Sequence, residues 1–350
     1  MRVVHIVRNY CQNGGMERYV WELTNNLVAL GVDVNVICEK CSFNHDPRIR
    51  LHKLEIPTHR SRWKAMLAFR SAVHERLKSI THTGPIIIHS HERCLDHHVT
   101  TFHGEPVKPR LFPKLEYLIS PRLRAWKEME RQELHNPNVQ AILPVSKRIQ
   151  NQLVHTYPKL TEKKMIIAWP GTESCGEPVT KKSLSEGRDL RLVFAGKEWR
   201  RKGLSTAVKI TESLNRSNTS ATLDIFGPSV EELPKIIRQN PFTHCKGWSN
   251  DIPWRTYDAL LLPAQREPFG MVVTEARAAG VPTLTSTNVG AIDIGISGNY
   301  SLRPDAANNE WADALLKLTQ NRQNYEPETL WTWDDLARLH LDKIYSQLKI

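Results

Sequence analysis

The chain has 350 residues, of which 40% are hydrophobic and 24% are charged, and it carries a formal net charge of +11 at pH 7. This length exceeds what one hydrophobic core usually organises, so we expect two domains. No apolar run approaches the roughly 20 residues that a spanning helix needs, which argues against an integral membrane protein. The first strand-like segment, residues 3–7, begins so close to Met1 that we expect no signal peptide.

The positive charge is unevenly distributed. Residues 1–170 contain 26 Lys and Arg against 15 Asp and Glu, whereas residues 171–350 contain 22 of each. A basic excess confined to one half predicts contact of that half with a polyanionic surface, either nucleic acid or acidic lipid headgroups. Residues 60–78 and 108–131 mix cations with apolar and aromatic residues, as segments on anionic bilayers do. The alternative is that their apolar residues pack inward and the cations are only solvated.

Six cysteines are scattered along the chain, which is typical of a protein from a reducing cytoplasm. Cys38 and Cys41 form one CxxC pair. A structural zinc site normally needs a second pair of cysteines or histidines at comparable spacing. We therefore expect free thiols and no metal at this pair.

Strand-like and helical patterns alternate along both halves of the chain. In the first half the expected strands are 3–7, 34–37, 86–88, 99–102 and 140–145, with helices after Gly14-Gly15 and at 62–79. In the second half the expected strands are 190–195, 221–226, 259–262 and 283–285, with helices at 203–214, 229–239, 271–279 and 333–348. This alternation predicts an α/β fold of parallel sheets covered on both faces.

A polar stretch at 171–188 separates the two series and is the expected linker. The expected domains are therefore residues 1–172 and 173–332, followed by a C-terminal helix, 333–350, that can cross back to the N-terminal domain. Two consecutive Rossmann-like domains would face each other across a cleft at the carboxyl ends of their strands, where such folds bind ligands.

The densest motif runs from Glu267 to Glu275. The strand at 259–262 leads into a loop that carries Glu267, and Phe269-Gly270-Met271 opens the next helix, which contains Glu275. The free N–H groups of Gly270 and Met271 and the helix dipole favour an anion. A nucleotide sugar needs acceptors for its hydroxyls and donors for its phosphates. Two carboxylates alone are equally compatible with an exposed surface or with glycoside hydrolysis.

A second motif joins a strand to a helix in the same domain. Gly196 ends the strand at 190–195, and Arg201-Lys202-Gly203 opens the helix that follows. Cations beside a helix N-terminus predict a phosphate site. The alternative is a solvated basic turn.

In the first domain, Gly14-Gly15 lies between the first strand and the first helix, where paired glycines let the backbone approach a ligand. No GxGxxG follows that strand, which disfavours a nicotinamide or flavin dehydrogenase.

His103 follows the strand at 99–102, where its side chain would project into the cleft, and His89, His91, His97 and His98 lie just upstream. No carboxylate or cysteine falls at a familiar metal-ligand interval and no HExxH occurs. We expect His103 to contact a sugar, most of the other histidines to pack internally, and no metal site.

These motifs occur in an order that resembles glycosyltransferase family 4 over nearly the whole chain. The resemblance rests on Gly14-Gly15, on Gly196 with Arg201-Lys202-Gly203, and on Glu267 with Pro268-Phe269-Gly270 and Glu275. It implies a retaining enzyme of GT-B fold, that is, two Rossmann-like domains across a cleft. Within the family the chain is most similar to bacterial lipopolysaccharide-core α-glucosyltransferases. One departure is Thr172-Glu173, where many relatives read Asn-Gly-Val-Asp.

The resemblance also implies roles for individual residues. Glu267 and His103 would be catalytic, with Glu267 at the transferred sugar's hydroxyls and His103 over the sugar, and Glu275 would hold the ribose. The implied donor-binding residues are Gly14, Gly15, Gly196, Arg201, Lys202, Phe269, Gly270, Met271 and Glu275. No cofactor or metal is implied.

The implied function is transfer of a hexose, with retention, from a nucleotide-diphosphate sugar such as UDP-glucose. The acceptor would be lipopolysaccharide core or another lipid-linked cell-envelope glycan. We expect a cytoplasmic protein, peripheral on the inner face of the cytoplasmic membrane through 60–78 and 108–131. One alternative is a sugar-nucleotide epimerase of the same fold. Another is a basic nucleic-acid-binding protein, although no known binding module is present and we expect no nucleic acid partner.

Overall fold

The structure is a computed structural model that describes residues 1–42, 44–81, 85–107, 119–173, 189–320 and 325–349. The chain divides into two compact units, each described separately below. Unit 1 comprises Met1–Gly171 together with Trp333–Ile350, and unit 2 comprises Thr172–Thr332. Most of the predicted linker, 174–188, lies outside the described residues.

Unit 1 is built on a parallel seven-stranded sheet with the order β5-β3-β1-β6-β7-β8-β9. Its strands are β1 (Arg2–Ile6), β2 (Asn9–Tyr10), β3 (Asp33–Cys38), β4 (Lys40–Cys41), β5 (Arg50–Lys53), β6 (Ile87–Ser90), β7 (Val99–Phe102), β8 (Ala141–Pro144) and β9 (Lys164–Met165), of which β2 and β4 form a separate pair. Its helices up to residue 171 are α1 (Gly15–Ala29), α2 (Arg62–Thr81), α3 (Pro121–His135) and α4 (Lys147–Thr156).

One face of this sheet is covered by α2 and α3. Val4 and Ile6 of β1 pack with Phe69 of α2 and Met129 of α3 in one buried cluster. Because side chains alternate across a strand, His5 of β1 points to the opposite face of the sheet. This alternation places a histidine on the face that does not contact α2 and α3.

Most of the apolar residues that the structure describes in the two basic stretches are packed inward. Met66 and Phe69 belong to the cluster under α2, and Trp126 packs against it from α3. The exposed surface of α2 and α3 carries mostly cations, with the acids Glu75 and Glu128 and the apolar Leu67 among them, and Ile119 is exposed just before α3. The exposed cations are Arg62, Lys64, Arg76, Lys78, Arg122, Arg124 and Arg131. Residues 108–118 lie outside the described part of the chain.

Unit 2 contains a parallel six-stranded sheet with the order β12-β11-β10-β13-β14-β15. The strands are β10 (Leu190–Ala195), β11 (Ala221–Phe226), β12 (Thr243–Gly247), β13 (Ala259–Leu262), β14 (Thr283–Ser286) and β15 (Asn299–Leu302). The helices are α5 (Leu204–Arg216), α6 (Lys235–Arg238), α7 (Met271–Ala278) and α8 (Asn308–Gln320). This 3-2-1-4-5-6 order is that of a Rossmann fold, and the two parallel sheets confirm the predicted α/β class.

The C-terminal segment belongs to unit 1. It begins with α9 (Trp333–Leu339), continues through a π-helical turn at His340–Ile344 and ends in a 3-10 turn at Tyr345–Gln347. The expected single helix 333–348 is therefore irregular in its second half. Tyr345 is buried, and its hydroxyl lies 2.7 Å from Nδ1 of His89 on β6.

The predicted helix 229–239 is wrong. The structure has a 3-10 turn at Val230–Glu232 and then the four-residue helix α6. Pro234 lies between them as the N-cap of α6, and a proline in the helix interior would remove a backbone hydrogen bond and clash with the preceding turn. Among the described residues, none of the helices has both the length and the apolar character needed to cross a bilayer.

A buried carboxylate anchors α3 to the rest of unit 1. Glu130 has no exposed surface and accepts hydrogen bonds from Nη2 of Arg93 at 2.7 Å, from Oη of Tyr157 at 2.7 Å and from the backbone N–H of Val107 at 2.9 Å. A buried carboxylate is stable only when its oxygens are satisfied in this way. The position of α3 thus depends on its full set of partners.

We predict that Glu130→Gln destabilises the protein, because an amide offers one acceptor oxygen and turns N–H donors toward Arg93. The expected loss in the free energy of unfolding is about 3 kcal/mol, which is the lower end of the range for breaking a buried ion pair. We choose the lower end because the side chain of Arg93 keeps some access to solvent. Urea unfolding of the full chain measures it. Glu128→Gln is the matched control, because the Glu128–Arg131 pair on the same helix is about half exposed and should contribute less than about 1 kcal/mol. Equal losses for both variants would contradict the prediction.

Candidate functional site

Three loops meet at the carboxyl end of the unit 2 sheet. They follow the adjacent strands β10, β13 and β14. The N–H of Gln265 donates to the carbonyl of Arg201 at 2.9 Å, and that of Glu267 donates to the carbonyl of Asn288 at 3.1 Å. The N–H of Gly290 in turn donates to the carbonyl of Glu267 at 3.1 Å. Glu267 is therefore held by backbone bonds at the centre of the three loops.

Two glycines allow this close approach. Gly203 is the N-cap of α5 with φ of 82°, in the left-handed region, and a Cβ there would overlap the carbonyl oxygen of Pro263. A Cβ on Gly196 would overlap the side chain of Lys202, which crosses directly over it. Gly203 therefore leaves room for the backbone of Pro263, and Gly196 leaves room for the side chain of Lys202.

A buried ion-pair cluster occupies the junction of the loops. Oε2 of Glu267 lies 3.3 Å from Nη1 of Arg201 and 3.3 Å from Nζ of Lys202. The carboxylate is almost fully buried, with 7% exposure, whereas both cations are partly exposed. Charge-assisted hydrogen bonds are usually 2.7–2.9 Å long, so the contacts of Glu267 with both cations are longer than usual.

Arg201 is held by further contacts that fix its guanidinium. Nε and Nη2 donate to Oε2 of Glu198 at 2.9 and 2.6 Å, and Nη1 donates to the carbonyl of Arg266. Burial opposes the charge of Arg201, but the carboxylates of Glu267 and Glu198 outweigh it, so the pKa of Arg201 is raised. The side chain is thus a fixed cation at the edge of the loops.

Helix α7 begins beside this cluster. The first N–H groups of any α-helix have no intrahelical acceptor, and the N-cap here, Gly270, provides no side-chain acceptor for them. Phe269 is buried, while Met271 and Glu275 are partly exposed on the first two turns. Unit 2 therefore brings Gly196, Arg201, Lys202 and Gly270 close to Glu267. Phe269, Met271 and Glu275 lie beside or within the first two turns of α7, and their role in donor binding stays a prediction.

The glycine pair of unit 1 lies at the N-terminus of α1. Gly14 is the N-cap, again without a side-chain cap, but the carboxylate of Glu17 in the first helical turn lies against it. A carboxylate at a helix N-terminus is itself favoured by the helix dipole. The carboxylate of Glu17 therefore lies where the helix dipole would also favour a phosphate.

His103 directly follows β7 in unit 1 and belongs to a cluster of imidazoles. Its Nε2 lies 3.0 Å from Nδ1 of His91, and Nε2 of His91 lies 3.1 Å from Nδ1 of His5. The ring of Tyr19, on α1, packs edge-on against His103 with centroids 4.8 Å apart. His103 is partly exposed, whereas His5 and His91 are buried.

Part of this cluster was not predicted from the sequence. Most of the histidines other than His103 were expected to pack internally, and His5, Tyr19 and His340, whose rings contact the cluster, were not selected. Ligand atoms of His5, His89 and His91 lie within 4.8 Å of one another, a grouping that could hold a metal ion. The signal that could have found it is the parallel register of β1 and β6, which pairs His5 with His89.

Two family profiles match the chain. Residues 13–173 match "Glycosyltransferase Family 4", and residues 177–329 match "Glycosyl transferases group 1". Curated relatives include the sucrose-phosphate synthase of Spinacia oleracea, 35% identical over 101 residues, and the glycogen synthase of Mycobacterium tuberculosis, 30% identical over 110 residues. These matches cover 26% and 29% of this chain but only 10% and 26% of the relatives' own lengths.

Solved structures match over nearly the whole chain. WaaG, a glycosyltransferase involved in lipopolysaccharide biosynthesis, has a TM-score of 0.75 at 19% identity, with 98% of this chain and 96% of that chain covered. The sucrose-phosphate synthase of Thermosynechococcus elongatus has a TM-score of 0.74 at 18% identity, covering 99% and 98%. Anabaena HepE, in complex with UDP-glucose, has a TM-score of 0.68 at 13% identity, covering 99% and 100%.

At these identities the structural matches show the fold, and the two profiles show the family. The chain belongs to glycosyltransferase family 4 and has the GT-B fold.

Proposed function

We propose that the protein is a retaining glycosyltransferase that moves a hexose from a nucleotide-diphosphate sugar to a cell-envelope glycan. The observation that carries the proposal is the cluster of Arg201, Lys202 and buried Glu267 beside the uncapped N-terminus of α7. Two fixed cations and a helix N-terminus suit a diphosphate. A neighbouring carboxylate suits the hydroxyls of the attached sugar.

The reaction breaks the bond between the anomeric carbon and the diphosphate oxygen, and the diphosphate leaves with the electron pair. The acceptor hydroxyl bonds to the anomeric carbon, and its proton passes to an oxygen of the departing diphosphate. Negative charge grows on the leaving group, so the cations of Arg201 and Lys202 stabilise the transition state more than the ground state. The carboxylate of Glu267 would stabilise positive charge on the sugar ring. Glu275 is proposed to bind the ribose and His103 a sugar hydroxyl.

The donor is proposed to be UDP-glucose or a related sugar nucleotide. Support comes from HepE, which was solved with UDP-glucose. The acceptor is proposed to be lipopolysaccharide core, which is consistent with the role printed for WaaG. The basic unit 1 is proposed to bind this acceptor at the inner face of the cytoplasmic membrane.

We predict that Lys202→Met weakens binding of UDP about 10- to 100-fold, because one charge-assisted contact to the diphosphate is lost. Uridine lacks the diphosphate, so its affinity should not change. Isothermal titration calorimetry at low salt measures both ligands, and GDP and ADP are titrated in the same way. Lys209→Met is the matched control, since Lys209 is exposed two turns along α5. An equal loss for uridine, or none for any diphosphate, would contradict the phosphate assignment.

The reaction is tested with labelled UDP-glucose, with and without lipopolysaccharide core as acceptor. We expect the wild-type protein to form an α-linked product, identified from the anomeric proton by NMR. Glu267→Gln should lower kcat about 100- to 1000-fold, as removal of a transition-state contact does. The affinity of this variant for UDP should not fall, because the substitution removes a carboxylate that competes with the diphosphate for Arg201 and Lys202.

Glu198→Gln is the matched control for this variant. Glu198 binds the same Arg201 but is mostly exposed, with a side-chain exposure of 69%, so its loss should change kcat less than about fivefold. A β-linked product would refute retention. Epimerised donor formed without acceptor would favour the epimerase, and full activity of Glu267→Gln would remove that residue from the chemistry.

Membrane binding is proposed to use the exposed cations of α2 and α3. We predict that the protein sediments with vesicles containing phosphatidylglycerol at low salt and is released at high salt, where charge attraction is screened. Reversing Arg62, Lys64, Arg122 and Arg124 to Glu should abolish binding. The control reverses four exposed cations of unit 2, namely Lys209, Arg216, Lys235 and Arg238. The proposal fails if both charge-reversed proteins lose binding alike or if the wild-type protein does not sediment.

A further inference from the structure

Three imidazoles in unit 1 form a continuous hydrogen-bonded chain. Nδ1 of His5 lies 3.1 Å from Nε2 of His91, and Nδ1 of His91 lies 3.0 Å from Nε2 of His103. The rings of His5 and His91 are stacked, with an interplanar angle of 16°. The chain starts at a fully buried residue on β1 and ends at a partly exposed one after β7.

The sheet dictates this arrangement. Parallel pairing of β1 and β6 places His5 beside His89, and alternation along the chain places His91 on the same face two residues later. On β7, Thr101 lies 2.8 Å from Nε2 of His89, and His103 again follows two residues later. The chain of imidazoles is therefore built by strand register at the carboxyl edge of the sheet.

All three imidazoles are neutral at neutral pH. Burial, with a smaller contribution from His340, lowers the pKa of His5 to about 3, and burial lowers the pKa of His103 to about 3. Burial and then the neighbouring His103 hold the pKa of His91 well below its usual value. Each ring consequently carries one N–H donor and one bare nitrogen acceptor.

Neutral rings leave two ways to make both hydrogen bonds. In the first, Nδ1–H of His5 donates to His91, Nδ1–H of His91 donates to Nε2 of His103, and His103 keeps its proton on Nδ1. In the second, Nε2–H of His103 donates to Nδ1 of His91, Nε2–H of His91 donates to Nδ1 of His5, and the proton of His5 is on Nε2. Nε2 of His5 is buried and has no hydrogen-bond partner among the described residues. Unpaired buried N–H groups are rarer in proteins than unpaired backbone acceptors, which favours the first arrangement.

We propose that His5 and His91 are positioning residues that hold the proton of His103 on Nδ1, so that this N–H donates to a sugar hydroxyl oxygen. The tautomer of a histidine is set by the hydrogen bond that its other nitrogen makes. Nε2 of His103 is occupied by His91, and Nδ1 makes no hydrogen bond within the described part of the chain. This inference rests on the proposed function, in which His103 binds a sugar hydroxyl.

A metal ion is the competing occupant of this cluster. His5, His89 and His91 could supply three nitrogens. Both nitrogens of His89 already lie within hydrogen-bond distance of hydroxyls, 2.7 Å from Tyr345 and 2.8 Å from Thr101. The hydrogen-bonded chain therefore accounts better for the geometry.

The proposal is tested first on the wild-type protein, labelled with 15N at histidine. Two-bond 1H–15N correlation spectra distinguish a protonated ring nitrogen from a bare one, and His103→Asn identifies the His103 signals by their loss. We expect His103 to be protonated on Nδ1. Protonation on Nε2, or one equivalent of zinc in the purified protein, would overturn the proposal without any measurement of activity.

A matched pair of variants tests the link to transfer. His91→Asn keeps an N–H close to the position of Nδ1, whereas His91→Leu has nearly the same shape without a donor. We expect His91→Leu to lose the single Nδ1–H tautomer of His103 and to lower kcat about 10-fold with little change in KM, as loss of an outer-shell partner does. His91→Asn should restore both the tautomer and kcat.

The two proposals fail in different ways. If His103 is protonated on Nε2 while α-linked product still forms, the positioning role is wrong and the proposed function stands. If the tautomer is as expected but His103→Asn transfers sugar at the wild-type rate, the sugar contact is refuted. Equal loss of kcat in His91→Leu and His91→Asn with an unchanged His103 tautomer would show a merely structural role for His91.

Discussion

The candidate site in unit 2 depends on one buried carboxylate. Glu267 is fixed by backbone bonds to the loop after β14, and its side chain pairs with Arg201 and Lys202 from the loop after β10. A buried carboxylate without partners would be strongly destabilising, so this residue also sets the positions of the two cations. The same interaction that stabilises the loops also holds the two cations of the proposed anion site. Glu267 therefore both stabilises the loops and belongs to the proposed site.

Unit 1 achieves fixed geometry by different means. Its cluster uses neutral imidazoles, of which His5 and His91 are buried, joined by hydrogen bonds of 3.0 and 3.1 Å. Sugar hydroxyls are neutral and need correctly placed donors and acceptors, whereas a departing diphosphate needs positive charge. The proposed division of chemistry follows from this contrast. Unit 2 concentrates charge at Glu267 and its two cations, and unit 1 presents a neutral donor at His103.

The sequence was sufficient for elements with a strong hydrophobic signal. β10, β11 and β13 are almost fully buried parallel strands, and their apolar runs matched the predicted strands closely. Edge strands such as β12 and β15 contain polar, partly exposed residues and gave no such signal. The helix predicted at 229–239 failed because Pro234 outweighs the apolar spacing around it. Helix α8 was overlooked although Trp311, Leu315 and Leu318 are spaced for one buried face.

The candidate site residues also differ in how they can be recognised. Some can be selected from their position in the sequence alone, and others only from the register of the sheet. Arg201, Lys202, Glu267 and Gly270 lie in loops directly after strands, so the rule that ligands bind at strand ends was enough to select them. The contact of His5 with His91 joins residues 86 positions apart and depends on the register of β1 against β6. Register is decided by the whole sheet, because a shift of one residue would turn His89 to the other face. A neutral histidine in an apolar strand gives no chemical signal until its neighbour across the sheet is known.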